Sequence, residues 1–225
     1  MSRDDNINLQ DQFLSHGLYF SGSITASVTH ELNNVLGTID QLSGLLEDLA
    51  FTVSNGGEIK EEQLRTISDR ISVQTERGIK LIKRLNRFAH SSDETISNIN
   101  IVEAIENIVA LMQRLASMQK VKLVMTKPKE DIMVFTNQFI LLEIIFLVIK
   151  KILPCTNPDT ELEVIPSEQN KDVLIAIKSG HDGSLVKLSD GEYLRSAASR
   201  ISGNIEEFID EGNYNFELRI PMSRQ

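Results

Sequence analysis

Between Ile24 and Val53 apolar residues recur at alternating steps of four and three: Val28, Leu32, Val35, Ile39, Leu42, Leu46, Leu49 and Val53. That is a heptad seam, and it predicts one long helix that packs lengthwise on other helices. A helical lead-in over residues 8–22 is expected before it, with Phe13 and Leu18 as its apolar marks. Ser54-Asn55-Gly56-Gly57 is a stop signal. A second helix is expected from about Glu58 to His90, carrying Leu64, Ile67, Ile71, Gln74, Gly78, Leu81, Leu85 and Phe88 at the same spacing. Two long helices joined by a Gly-rich turn fold back as an antiparallel hairpin. Each buried Leu or Ile is worth about 1.5–3 kcal/mol. A hairpin alone leaves much of this stripe open, so a homodimer forming a four-helix bundle is the expected solution.

After Ser91-Ser92-Asp93-Glu94 the pattern changes. Strands are expected at Asn98–Ile101, Val121–Met125, Leu162–Ile165 and Val173–Ile177, and a final hairpin at Ile205–Ile209 and Asn215–Ile220. Helices are expected at Val102–Met118, at the very apolar Asn137–Leu153 and at Gly191–Ser202, with a turn at Lys127–Asp131 and a Gly-rich loop at Ser179–Gly183. The fold class is therefore α+β: a helical hairpin domain over 1–92, then an α/β sandwich over 97–225.

Composition narrows the partners. A chain of 225 residues with 41% hydrophobic content can build a real core, and a net charge of −9 disfavours nucleic acid. One cysteine, Cys155, allows no internal disulfide and fits a reducing compartment. The longest apolar run, Phe139–Ile149, is interrupted by Glu143 and falls well short of a membrane span. The start, MSRDDNINLQDQ, has no signal-peptide pattern. The expectation is a cytoplasmic protein without membrane or nucleic-acid contacts.

The candidate chemistry lies near the head of the first long helix, in the stretch His30-Glu31-Leu32-Asn33-Asn34. With Val28 at heptad position d, His30 falls at f, pointing away from the seam. Asn34, four residues on, shares its face. Around that face stand Ala26, Ser27, Asn33, Gly37 and Gln41, small or polar residues that let a second protein come close. An exposed imidazole is largely neutral near pH 7 and can act as a nucleophile. Glu31 is expected to accept a hydrogen bond from Nδ1–H and so free Nε2, and Asn34 to orient a water or a phosphoryl oxygen. Lys80, Lys83, Arg84 and Arg87 at the end of the second helix are expected opposite His30, where they can steady a phosphoryl group. A lone exposed histidine on a helix is usually only solvated. It is the combination with a small-residue face, a hairpin and a following α/β segment that points to function.

That combination resembles the bacterial two-component histidine kinases. VTHELNN is similar to their H-box, with His30 at the phosphoacceptor place, Glu31 at the acidic neighbour and Asn34 at the residue associated with phosphatase chemistry. Residues 20–91 resemble the dimerisation and phosphotransfer hairpin. Residues 98–221 resemble a shortened ATP-binding domain, with TNQFILLEIIFLVIKKIL as its buried helix and NYNFELRIP as its closing strand. The resemblance covers about nine-tenths of the chain.

The family's nucleotide signatures are missing from the second part. Its magnesium-binding asparagines fall on Leu147 and Lys151, which cannot ligate the ion. Ser179 stands where the adenine-binding Asp is expected. Gly180 and Gly183 fit turn residues, His181 and Asp182 loop residues, and only a short segment separates Gly183 from Gly191. The resemblance thus implies a dimeric histidine phosphotransferase with a degenerate ATP-binding domain. His30 would exchange a phosphoryl group with the aspartate of a response-regulator receiver domain, no cofactor would be bound by the chain itself, and the regulator would bring Mg2+. The alternatives are a kinase with a divergent ATP site, a response-regulator phosphatase, or a non-catalytic adaptor that binds a response regulator.

Overall fold

The computed structural model describes residues 3–182, 191–210 and 213–222. The lead-in and the main helix are one element, α1 (Arg3–Ser54), 52 residues without a break at Gly22. It closes at the expected signal. Gly56 takes φ +81°, its N–H reaches the Val53 carbonyl, and the Gly57 N–H reaches the Thr52 carbonyl at 2.9 Å. A side chain at Gly57 would start 2.6 Å from Thr52 Cγ2, so glycine is required there. The second helix, α2 (Glu61–Ala89), begins three residues later than expected. Gln63 Oε1 accepts from the Lys60 N–H at its start, and a short 3-10 turn, His90–Ser92, follows its end.

The α/β part runs β1 (Ser97–Asn100), α3 (Ile101–Met118), β2 (Lys122–Met125), β3 (Met133–Thr136), α4 (Gln138–Ile152), β4 (Glu161–Gln169), β5 (Asp172–Asp182), α5 (Gly191–Arg200), β6 (Asn204–Asp210) and β7 (Asn213–Pro221). Asn100 caps α3 through Oδ1, which accepts from the Val102 and Glu103 N–H groups, and Asn137 caps α4 in the same way at Ile140. The strands β2, β4, β5, β7 and β6 join in that order, β2–β4 parallel and the rest antiparallel. β1 and β3 form a separate antiparallel pair. α3 packs beside β2 and α5 beside β6, with α4 between them. From Ile140 to Ile149 every residue of α4 is buried.

Two expectations are corrected here. β3 was not expected, because Met133–Thr136 is short and follows a polar turn. It pairs only with β1, through Ser97 opposite Thr136 and Asn100 opposite Met133. The segment Ser179–Asp182 is not a loop: β5 continues to Asp182 with an irregularity in its pairing to β7 between Ser179 and Asp182. His181 and Asp182 are therefore strand residues. Gly183 and the rest of residues 183–190 lie outside the described residues.

The contacts divide the chain into two compact units, Thr25–Asn86 on the one hand and Met1–Ile24 with Arg87–Gln225 on the other. In the hairpin unit, Val28, Val35 and Leu42 are buried, Leu32, Ile39, Leu46 and Leu49 are half-buried, and Val53 is exposed. On α2, Ile67 and Leu81 are buried while Leu64 is exposed. The helices lie close at Gly78, where a Cβ would stand 3.4 Å from Val35 Cγ1, in ordinary van der Waals contact.

In the other unit the first turns of α1 lie on the α/β part. Phe20 is 0% exposed, and its ring packs 5.0 Å from Phe88, 5.4 Å from Phe139 and 4.9 Å from Phe146. At Gly17 a Cβ would stand 3.5 Å from the Phe139 ring, so this turn of α1 fits closely on α4. Phe20 is the central ring of the cluster. Phe20→Ala is expected to lower stability by about 3–5 kcal/mol in urea unfolding; a loss below about 1 kcal/mol would show that the cluster does not hold the segment.

Candidate functional site

α1 presents His30 exposed, as position f requires. Asn34, one turn on and also exposed, brings its carboxamide to the ring: Nδ2 lies 3.3 Å from His30 Nδ1. The Asn34 carbonyl in turn accepts from Thr38 Oγ1 at 2.8 Å. The i, i+4 spacing of a helix accounts for this pairing. The Asn34 contact ties the tautomer of the ring to the orientation of the carboxamide. With the carboxamide nitrogen toward the ring, Nδ1 accepts and Nε2 carries the proton of a neutral imidazole. Turned by 180°, the carboxamide offers Oδ1 to Nδ1–H, and Nε2 holds a free lone pair directed to solvent. The two orientations exchange atoms of nearly equal size.

Glu31 does not take the expected part. Its carboxylate is committed across the hairpin to Arg77, with Oε2 2.7 Å from the guanidinium Nη2. The reason is angular. Adjacent helix residues diverge by about 100°, so Glu31 leans toward α2 and Asn34 takes the ring. Arg77 had no sequence signal, since it stands before the Lys80–Arg87 cluster. Of that cluster, Lys83 is exposed and Arg84 half-buried on α2, whereas exposed Arg87 belongs to the other unit. There Arg87 lines a cavity of about 490 Å3 with His90, Asn98, Glu103 and Gln138.

The small-residue face is open at Ala26, Asn33, Gly37 and Gln41. Nothing lies within 4 Å of the position a Cβ would take at Gly37. Ser27 departs from the expectation. It is 3% exposed, and its hydroxyl has no hydrogen-bond partner among the described residues. Ser27 lies at i, i+3 and i+7 from Ile24 and Phe20, so it continues their buried stripe rather than the open face. A stripe of that kind was visible only once the lead-in and the main helix were known to be continuous.

In the α/β part, Leu147 is 8% exposed on α4. Ser179 on β5 is buried, with its hydroxyl 3.1 Å from Thr156 Oγ1. These side chains offer no carboxylate or carboxamide where the resemblance expects ligands for magnesium and adenine. The free thiol of Cys155 is half-buried. Among the described residues no helix is long and apolar enough to cross a membrane.

Neither a scan against protein-family models nor a search of curated proteins gives a match for this sequence. Solved structures do match. The histidine kinase AdeS of Acinetobacter baumannii is 11% identical, over 83% of this chain and 96% of that one, with a TM-score of 0.51. The catalytic domain of the histidine kinase ThkA is 15% identical, over 59% of this chain and 100% of that one, with a TM-score of 0.50. A crystal structure of ThkA in complex with the response regulator protein TrrA matches 98% of this chain and 66% of that one, at 15% identity and a TM-score of 0.50. At such identities it is architecture that is shared: the chain has the histidine-kinase fold, a helical segment followed by an α/β sheet domain.

Proposed function

We propose that this protein is a histidine phosphotransferase that exchanges a phosphoryl group between His30 and the aspartate of a response-regulator receiver domain. The observation that carries this reading is the exposed His30 ring, gripped at Nδ1 by Asn34 and set in an open face of small residues. A histidine that is merely solvated has no need of a partner on one ring nitrogen and a clear approach to the other. The match to a kinase structure that contains a response regulator supports the choice of partner.

In the forward step the Asn34 carboxamide is turned so that Oδ1 accepts from Nδ1–H, and the freed Nε2 lone pair attacks the phosphorus of the receiver's aspartyl phosphate. The N–P bond forms as the acyl P–O bond breaks, and the aspartate leaves as a carboxylate. The Nδ1 proton stays hydrogen-bonded to Asn34 Oδ1 or passes to water. The reverse step returns the group to a second receiver. Catalysis is then largely positioning, with Mg2+ brought by the receiver. Glu31, held by Arg77, fixes the helices beside the ring rather than the tautomer. Lys83 and Arg84 supply cations on the neighbouring helix. Leu147 and Ser179 support a reading without ATP binding, since neither side chain suits the role the family gives to that place. The half-buried seam of α1, with Leu36 and Val73 also exposed, supports a homodimer.

Two outcomes test this. With a labelled phosphoreceiver, acid-labile label should appear on the wild type and not on His30→Ala. Label taken from Mg-ATP alone would make the protein a kinase, and free phosphate without labelled protein would make it a phosphatase. Gly37→Leu should leave helicity and melting temperature near wild type while slowing transfer by about tenfold or more, because it closes the approach to the ring. Transfer at the wild-type rate would place the receiver on another face.

A further inference from the structure

Phe139, Glu143, Phe146 and Lys150 share one face of α4, at steps of four, three and four, and α1 meets that face at Phe139, Phe146 and Lys150. Phe139 and Phe146 touch Phe20, and Lys150 reaches Tyr19 through its hydroxyl and its ring face. A carboxylic acid thus falls on the same face as these contacts, in a run of α4 whose residues are all buried. Glu143 is 2% exposed, and its Oε1 accepts from the Tyr193 hydroxyl of α5 at 2.9 Å. α1 covers Tyr193 in turn. The His16 ring stacks on it at 3.9 Å and 19°, and Phe13 lies 5.1 Å away with the Arg200 guanidinium 4.3 Å above the Phe13 ring. The layers therefore run α1, Tyr193, Glu143.

We propose that the first turns of α1, residues 13–24, are a proton-linked clasp, docked on the α4–α5 face while Glu143 is protonated and loosened when it ionises. This does not depend on the phosphotransfer reading. A neutral acid with one hydrogen bond is tolerable under the aromatic cover, but a carboxylate there lacks the hydration it regains once the segment lifts. The groups facing it are Tyr193 and Arg200 from α5 and, across the Tyr193 ring, His16 from α1. Desolvation raises Glu143 from its ordinary 4.5 to about 7, against the lowering effects of the Tyr193 hydrogen bond and the Arg200 charge. The sign follows from the raised value. The docked state binds the proton more tightly, so docking is strongest below the ordinary carboxylate pKa and weakens as pH rises through 7.

Hydrogen exchange on the full chain tests it. Between pH 6 and pH 8.5 the opening constant of amides in residues 13–24, corrected for intrinsic rates, should rise about tenfold in the wild type, while amides of α3 and α4 hold their protection. Glu143→Gln should abolish the rise, His16→Gln should keep it, and Tyr193→Phe should move its midpoint to higher pH by removing a hydrogen bond to the carboxylate. An opening constant independent of pH in the wild type would overturn the clasp. A rise that survives in Glu143→Gln, that vanishes in His16→Gln, or that spreads over the whole chain would do the same.

Discussion

One unbroken helix is the constraint from which the rest follows. Because α1 keeps a single helical phase from Arg3 to Ser54, every side chain along it has a fixed direction. The phase that buries Val28, Val35 and Leu42 sends His30 out to solvent. It places Asn34 over the ring and turns Glu31 toward Arg77. Phe20 and Ile24, in the other compact unit, are buried, and Ser27 is buried rather than part of the open face. A kink at Gly22 would have uncoupled these sets. The helix therefore carries two kinds of surface: an open face around His30 and a buried stripe for packing.

Two neighbours of the histidine are engaged differently on the open face. Asn34 is neutral, so its contact with Nδ1 adds no charge beside the ring. Glu31 has its charge matched by Arg77 and serves the hairpin instead. Exposed ion pairs of this kind contribute little to stability, under about 1 kcal/mol. Its value lies in holding two helices at one level beside the ring.

Much of this was legible from spacing and caps. The heptads predict both long helices, Gly56-Gly57 ends the first, and the start of α4 at Asn137 follows from the apolar run, whereas the cap at Asn100 lay inside an expected strand. His30 and Asn34 followed from the helical period alone. What escaped depended on partners distant in the chain. β3 exists because β1 pairs with it, Arg77 matters because the hairpin turn sets it level with Glu31, and Ser27 is buried because Phe20 and Ile24 extend its stripe. Glu143 was seen only as an interruption in an apolar run. Its place under Tyr193 and α1 needed the packing of three helices.

The most direct test of the account is to find which ring nitrogen of His30 becomes phosphorylated. With 15N-labelled histidine, the protein is loaded from a phosphoreceiver and the phosphorus–nitrogen coupling is read by NMR. Asn34 holding Nδ1 predicts phosphorus on Nε2, with Nδ1 still hydrogen-bonded. Phosphorus on Nδ1, or loading with no phosphohistidine at residue 30, would contradict the account.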